Sequence, residues 1–208
     1  MHDILSEVDA WLAQGKRLVM ATVIQTWYSS PRAAGARMAI TAEGQIAGSV
    51  SGGCVEGAVI DAAMQVFKTH TPRLLHFGVS DENAWEVGLS CGGSIDVFVC
   101  EIHPDFYTIL HQALDGQQPA AAIQVVRAPA GLLGEEIMVY KDGPAWGRLG
   151  GELDQAIISA ARSALQKGQP QRAEIPVPGG ESIEVFIDTL LPSYTFHGGW
   201  CTNNHRPG

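Results

Sequence analysis

The feature that most constrains this 208-residue chain is an internal repeat. Residues 36–63 align with residues 135–161 once one residue is dropped from the glycine-rich loop of the second copy. In both copies two short apolar runs flank an acidic residue followed by glycine, a dipeptide that favours a hairpin, and Gly-Gly then leads into a helical pattern. Each copy ends in an alternating apolar and polar segment that stops at proline, at 94–104 and at 182–192. The sequence therefore predicts a duplicated supersecondary unit.

Strands and helices outside the aligned segments also occur in pairs. Apolar segments at 17–24 and 120–126 predict the opening strands, and helices are predicted before them at 2–14 and 105–115. The helix after each Gly-Gly pair has apolar residues at helical spacing on one narrow face. These residues are Val55, Val59, Ala62 and Val66 in the first helix, and Leu153, Ile157, Ala160 and Ala164 in the second.

These patterns predict an α/β fold of two related halves, each with a mixed sheet and packed helices. The first half spans residues 1–104 and carries the cysteine motifs, and residues 105–192 form a degenerate second half. Residues 193–208 are polar and without periodicity, which predicts a disordered tail.

Composition excludes several classes of partner. The formal net charge is −9 and no basic stripe is present, so a nucleic-acid backbone would be repelled. No apolar run reaches the roughly 18 residues that a membrane helix needs, and the N-terminal segment lacks the features of a signal peptide. The expected location is the cytoplasm, where the four cysteines would be reduced. Charged residues make up only 17% of the chain, which leaves much neutral surface and predicts an oligomer.

The second half serves as an internal control, because a duplicated half keeps structural residues and loses chemistry that it does not use. The glycine pair at 52–53 recurs at 150–151, which favours a structural role at the entry to the helix. Glu56 recurs as Asp154, an acidic residue typical of a first helical turn. Glu56 is therefore interpreted as structural, whereas for the glycine pair a structural role and close approach to a ligand both stay open.

Features found only in the first half are the candidates for function. Cys54 has Glu152 as its counterpart, and the segments 29–32 and 88–93 have none. Cys54 opens a helix, where N–H groups and the macrodipole favour an anion, so the thiolate form is expected. Cys91 precedes a glycine pair that would leave its sulfur approachable. For each cysteine the alternative is a small buried hydrophobic residue.

A site built on these thiols would also use the small residues beside them. N–H groups at the start of the helix suit a phosphate, although no dinucleotide or P-loop fingerprint is present. A bidentate contact of Arg32 with phosphate is a second possibility, its alternative being a solvated loop arginine. Trp27 and Tyr28 either stack on a planar ligand or close the end of the sheet. The candidate binding residues are Arg32, Ser51, Gly52, Gly53, Cys54, Cys91, Gly92 and Gly93.

Other chemistries fit the sequence less well. The 36 residues between Cys54 and Cys91, with no paired ligand spacing, leave the ligand set of a structural zinc site incomplete. The segment around Ser51 lacks the spacing of a serine hydrolase elbow. Cys100 lies in a regular strand pattern and is expected to be structural, and Cys201, in the tail, incidental.

Three segments in order, WYSSPRAAGARMAI, GQIAGSVSGGCVEGAV and GLSCGGSIDVFV, resemble the signature segments of the xanthine dehydrogenase accessory factor family, XdhC/CoxI. The resemblance spans about residues 1–192 and implies a short form without the C-terminal Rossmann domain of longer members. It implies a chaperone, rather than an enzyme, that binds the molybdenum cofactor (molybdopterin) as cargo. Delivery would be to the apoenzyme of a molybdenum hydroxylase such as xanthine dehydrogenase, aldehyde oxidoreductase or carbon monoxide dehydrogenase.

The chemistry of the candidate residues agrees with this implication. Thiolates suit a soft metal, so Cys54 and Cys91 are expected to line one cleft as molybdenum ligands. Two alternatives stay open: a sulfurtransferase in which Cys54 accepts persulfide sulfur from a cysteine desulfurase, and a scaffold for the apoenzyme with incidental cysteines. A homodimer is expected from the low charge and from the habit of the family.

Overall fold

The computed structural model describes residues 4–28, 30, 32–78, 93–116, 118–129, 131–177 and 180–192. The predicted tail at 193–208 lies outside these residues. None of the helices in these ranges has the length and apolar character needed to cross a membrane. The first half contains α1 (Leu5–Ala13), β1 (Leu18–Trp27), β2 (Arg37–Thr41), β3 (Ile46–Gly48), α2 (Glu56–Thr69), β4 (Arg73–Phe77) and β5 (Ser94–Glu101). The second contains α3 (Pro104–Asp115), β6 (Ala120–Arg127), β7 (Glu136–Tyr140), β8 (Ala145–Trp146), α4 (Gly151–Lys167), β9 (Gln171–Pro176) and β10 (Ser182–Leu190).

Each half forms one five-stranded sheet, with strand orders β3-β2-β1-β5-β4 and β8-β7-β6-β10-β9. The α/β class and the two related halves are confirmed. The pairing is a correction to the mixed sheets expected from the sequence, because all pairings between the described strands are antiparallel. β3 and β4 do run in the same direction, but α2 carries the chain from one edge of the sheet to the other. The two parallel strands therefore never become neighbours, and β8 and β9 are separated by α4 in the same way.

The predicted apolar faces of α2 and α4 pack on the two sheets. Val55, Val59 and Val66 are buried in one cluster with β1, β2 and β5, and Ala62 is buried outside that cluster. In α4, Leu153, Ile157 and Ala164 are buried in a separate cluster of the second half, and Ala160 is half-buried against that second cluster. Burial of each valine or isoleucine contributes roughly 1.5–3 kcal/mol, so these faces fix each helix to its sheet.

Glycine is required at the end of each hairpin. Gly48 (φ +80°), the last residue of β3, and Gly147 (φ +82°), the residue after β8, lie in the left-handed region. A Cβ would lie 2.3 Å from the carbonyl oxygen of Arg37 at Gly48, and 2.6 Å from that of Glu136 at Gly147. Both copies of the repeat therefore need glycine at this position, because the backbone approaches too closely for any side chain.

The two sheets face each other across an apolar layer crossed by ion pairs. Phe98 of the first sheet and Phe186 of the second are buried in one cluster with Cys100. Arg172 of β9 pairs with Asp96 of β5 and also with Glu184 of β10 in its own half. Burial raises the pKa of the Cys100 thiol, which agrees with the structural role expected for it.

Candidate functional site

One end of the first sheet collects the connections that carry the predicted site residues. β1 finishes there at Trp27, β3 at Gly48 and β4 at Phe77, whereas β2 begins there at Arg37 and β5 at Ser94. This arrangement follows from the antiparallel pairing, since neighbouring strands alternate in direction. We call this end of the strands the loop end of the first sheet.

The structure brings Arg32 and the cysteine-bearing loop together at the loop end. Arg32 Nε donates a hydrogen bond to the carbonyl oxygen of Ser49 at 3.3 Å. Cys91 and Gly92 lie outside the described residues, and Gly93, which precedes β5, is buried. The convergence of Cys54 and Cys91 therefore stays a prediction.

The loop that leads into α2 is folded around the carboxylate of Glu56. Oε1 accepts hydrogen bonds from Ser49 Oγ at 2.6 Å, from the N–H of Ser51 at 2.9 Å and from the N–H of Gly52 at 3.1 Å. Oε2 accepts from Ser51 Oγ at 2.5 Å and from the N–H of Gly53 at 2.8 Å. A single carboxylate thus receives donors from four residues that precede the helix.

Ser51 extends this network to the cysteine. Its side chain is buried, and its Oγ accepts the N–H of Cys54 at 3.0 Å and that of Val55 at 3.1 Å. The N–H groups of residues 51–55 therefore all have acceptors within the protein. The N–H groups that the loop would offer to a phosphate are thus already used, and the carboxylate in the first turn of the helix lies where an anion would bind.

Glu56 is ionised at neutral pH. Partial burial raises its pKa, but the hydroxyls of Ser49 and Ser51 and the backbone N–H of Ser51 outweigh that effect and lower the pKa from 4.5 to about 2. A full negative charge consequently stands at the start of α2, directly behind the loop that carries Cys54.

The second half keeps a reduced form of this arrangement. Asp154 Oδ1 accepts the N–H of Leu149 at 2.7 Å and the N–H of Gly150 at 3.0 Å. In the alignment Ser51 is the residue without a counterpart, and Arg148 stands where the first half has Ser49. The structural interpretation of the two acidic residues is therefore confirmed, and the serine hydroxyls are an addition of the first half.

The glycine pairs have the conformation that a structural role requires. Gly52 (φ +83°), Gly53 (φ +121°), Gly150 (φ +108°) and Gly151 (φ +58°) all have positive φ. Side chains rarely adopt this region, which explains why both copies keep Gly-Gly. A Cβ at Gly52 or Gly53 would meet no atom of the described residues within 4 Å, so the outer surface of this loop is open.

Cys54 lies between the open loop and the core. It is half-buried and packs against the cluster under α2. The residue therefore matches neither a sealed core cysteine nor a fully solvated one.

Two aromatic residues lie where β1 ends, Trp27 as the last residue of the strand and Tyr28 directly after it. Trp27 is 38% exposed, and its ring lies edge-on to His76 with centroids 5.8 Å apart. Tyr28 is 92% exposed and has φ +58°, which costs a bulky residue energy that its own packing does not repay. For Tyr28 the structure favours an accessible ring over a plug at the end of the sheet. The local sequence pattern gave Tyr28 and Trp27 the same two interpretations and could not show which ring is more exposed.

Together these features define a class: a protein of two related α/β halves in which one half presents a glycine-serine loop, a cysteine and an arginine at the end of its sheet. The sequence model of the XdhC and CoxI family matches residues 11–78. This range includes the β1–β2 connection with Arg32 and the β3–α2 connection with Cys54. The resemblance found in the sequence is thereby confirmed for this segment.

Three curated relatives are similar over less than half of this chain. Identity is 34% over 97 residues to the uncharacterized protein YqeB of Escherichia coli K12, covering 47% of this chain and 18% of that protein. It is 33% over 85 residues to the molybdenum cofactor insertion chaperone PaoD of the same organism, covering 40% and 26%. It is 34% over 99 residues to a probable xanthine dehydrogenase subunit of Bacillus subtilis, covering 47% and 30%. The chain thus matches less than a third of the length of each.

A solved structure shares the fold of both halves. The crystal structure of a xanthine dehydrogenase from Bacillus halodurans superposes with a TM-score of 0.65 at 21% identity. The superposition covers 92% of this chain and 53% of that one. The arrangement of the two sheets is therefore shared with a natural protein of low sequence identity.

Proposed function

We propose that this protein is an accessory factor that binds the molybdenum cofactor and delivers it to a molybdenum hydroxylase. The observation that carries the proposal is the placement of the Cys54 loop beside Arg32 at the loop end of the first sheet. The names of two relatives, a molybdenum cofactor insertion chaperone and a probable xanthine dehydrogenase subunit, support the same function.

The loop end offers one group for each part of the cargo. The molybdenum cofactor combines a planar pterin, a soft metal held by a dithiolene and a terminal phosphate. The sulfur of Cys54 suits the metal or its sulfido ligand, and the guanidinium of Arg32 suits the phosphate. The exposed ring of Tyr28 suits the pterin plane. Since the N–H groups of the loop already have acceptors, Arg32 and not the start of the helix is proposed to bind the phosphate.

The remaining candidate residues supply a second ligand and space. Cys91 is proposed as the other thiolate, with Gly92 and Gly93 allowing close approach. Gly52 and Gly53 do the same on the side of the loop, where the surface above them is open. Ser51 contributes by holding the backbone of Cys54 rather than by touching the cargo.

The thiol role is tested by titrating molybdopterin into the Cys54→Ser, Cys91→Ser and double variants. We expect the double variant to lose at least roughly 10–100-fold in affinity, since loss of groups that only support metal ligands already costs that much. Cys100→Ala is the matched control, because Cys100 is buried between the sheets and should leave the affinity unchanged. Equal affinity in the wild type and the double variant would contradict the role of the thiols.

Delivery is tested by activation of a molybdenum hydroxylase apoenzyme with cofactor-loaded protein. We expect activation by the wild type and a strong reduction with the double cysteine variant. Undiminished activation by that variant would identify a scaffold instead. A mass increase of about 32 Da on Cys54 after incubation with a cysteine desulfurase and cysteine would identify a sulfurtransferase, since it is the mass of one persulfide sulfur.

A homodimer is the proposed state of the protein in solution. The low content of charged residues, 17%, supports it because neutral surface is commonly covered in oligomers. Light scattering should give twice the chain mass of 22.2 kDa. A mass of one chain at micromolar concentration would contradict this proposal.

A further inference from the structure

We propose that Glu56 positions Cys54 for its ligand: the carboxylate fills the anion position at the start of α2, so that the loop presents a thiol and not an N–H cradle. This inference rests on the proposed function and adds to it a residue that touches no cargo. It also assigns the loop a preference for the metal end of the cargo over its phosphate.

The first argument is the continuity of the hydrogen bonds between the carboxylate and the cysteine. Glu56 Oε2 accepts Ser51 Oγ at 2.5 Å, and the same Oγ accepts the N–H of Cys54 at 3.0 Å. One buried hydroxyl thus ties the backbone of Cys54 to a charged group. Hydrogen bonds to an ionised acceptor are about twice as strong as neutral ones, so this link holds the loop firmly.

The second argument is the comparison with the other half. There a single oxygen of Asp154 takes two backbone N–H groups, and the helix begins normally at Gly151. Entry into the helix therefore needs no more than those two bonds. The first half adds two serine hydroxyls to its carboxylate, and it is the half with Cys54 in place of Glu152. The additional bonds go beyond what helix entry requires.

The third argument is electrostatic. The charge of Glu56 sits where the macrodipole and the N–H groups would otherwise attract an anion. A phosphate at the loop would meet a like charge and no available donor among the described N–H groups of residues 51–55. Arg32, which borders the same loop through Ser49, is the cation left to receive it.

The test compares Glu56→Gln with Asp154→Asn, the equivalent change in the half without a cysteine. Both variants keep the size of the side chain and remove its charge. Two readouts are taken: the dissociation constant for molybdopterin, and the alkylation rate of Cys54 by iodoacetamide in the protein without cargo. The tryptic peptide 38–68 contains Cys54 as its one cysteine, so mass spectrometry assigns the modification.

We expect Glu56→Gln to weaken molybdopterin binding roughly 10–100-fold, as loss of a supporting group does at metal sites. We expect it to raise the alkylation rate of Cys54 roughly tenfold, because loss of a charge-assisted hydrogen bond lets the loop open more often. Asp154→Asn should leave both quantities unchanged. Ser51→Ala removes the link but keeps the carboxylate, and it should likewise weaken binding and speed alkylation. It replaces Glu56→Gln in the test if that variant does not fold.

Two results would overturn the inference: unchanged affinity and alkylation in Glu56→Gln, or equal changes in Asp154→Asn. Failure of the wild type to bind molybdopterin would contradict the proposed function instead. In that case the alkylation rates of the two variants decide by themselves whether Glu56 positions Cys54.

Discussion

Arg37 Nη2 lies 2.7 Å from Asp188 Oδ2, in an ion pair that joins β2 of the first half to β10 of the second. Both side chains are only 9% exposed, so the charges depend on each other and not on water. Asp188 occupies the position that corresponds to Cys100 in the repeat, and Arg37 corresponds to Glu136. The two halves are therefore alike in backbone but differ in the groups that meet across their interface.

Removal of one partner of this pair should be costly. We expect Asp188→Ala to lower the free energy of unfolding by about 3–5 kcal/mol, because it leaves the Arg37 guanidinium buried without a counter-charge. Urea unfolding measures the loss. The double variant Arg37→Met with Asp188→Leu should recover part of it, and a loss below about 1 kcal/mol in the single variant would show that water reaches the pair.

Glu136 should make the protein less stable as the pH rises. Burial raises its pKa to about 8, with Glu135 acting in the same direction, while Arg37 and a hydrogen bond from Gln124 lower it. Between the ordinary value of 4.5 and about 8, the unfolded chain is ionised and the folded chain holds the proton, so stability falls across this range. Glu136→Gln should therefore raise the melting temperature more at pH 8 than at pH 5. An equal gain at the two pH values would contradict the shift.

Glu56 should have the opposite effect at low pH. Its pKa is lowered to about 2, so its contribution to stability is complete above 4.5 and is lost as the pH falls from 4.5 to about 2. Thermal unfolding of the wild type and Glu56→Gln should differ most at neutral pH and converge in acid. A constant difference over this range would mean that the charge of Glu56 adds nothing to the loop.

Tyr28 carries backbone strain at the loop end, and its replacement separates strain from binding. Tyr28→Gly should raise the free energy of unfolding by about 1 kcal/mol, because glycine adopts φ +58° without penalty. The same variant should weaken molybdopterin binding through loss of the ring. His70→Gly is the matched control, since His70 has φ +55° at the far end of α2 and should leave the affinity unchanged. Unaltered affinity in Tyr28→Gly would remove the ring from the proposed site.

Much of the fold follows from local pattern. Three elements lie within a few residues of their predicted positions: the strands at 18–27 and 120–127 and the helix at 104–115. Their sequences are strongly periodic or continuously apolar, and such patterns indicate which side chains are buried. β4 and β9 were not predicted. Both are outer strands of their sheets, and most of their residues are half-exposed or exposed, so no alternation of apolar and polar side chains marks them.

The candidate site was predicted in part. Cys54, Arg32 and the glycine pairs could be found because the second half shows which residues are kept and which are lost. The acceptors of the loop N–H groups could not, since an isolated Glu56 reads as an ordinary first-turn residue. Its five donors come together only when the chain has folded back on itself.

The sequence by itself determined that the chain is a duplicated α/β unit with the candidate cysteines confined to one copy, because repeats, periodicity and composition are properties of the linear chain. Only the tertiary structure decided that parallel strands are kept apart, that Arg37 pairs with Asp188, and that Glu56 fills the anion position behind Cys54. Each of these depends on distances between segments far apart in the chain or on the direction of single hydrogen bonds. A pattern of apolar and polar residues records how deeply a side chain is buried, but not which group it meets there.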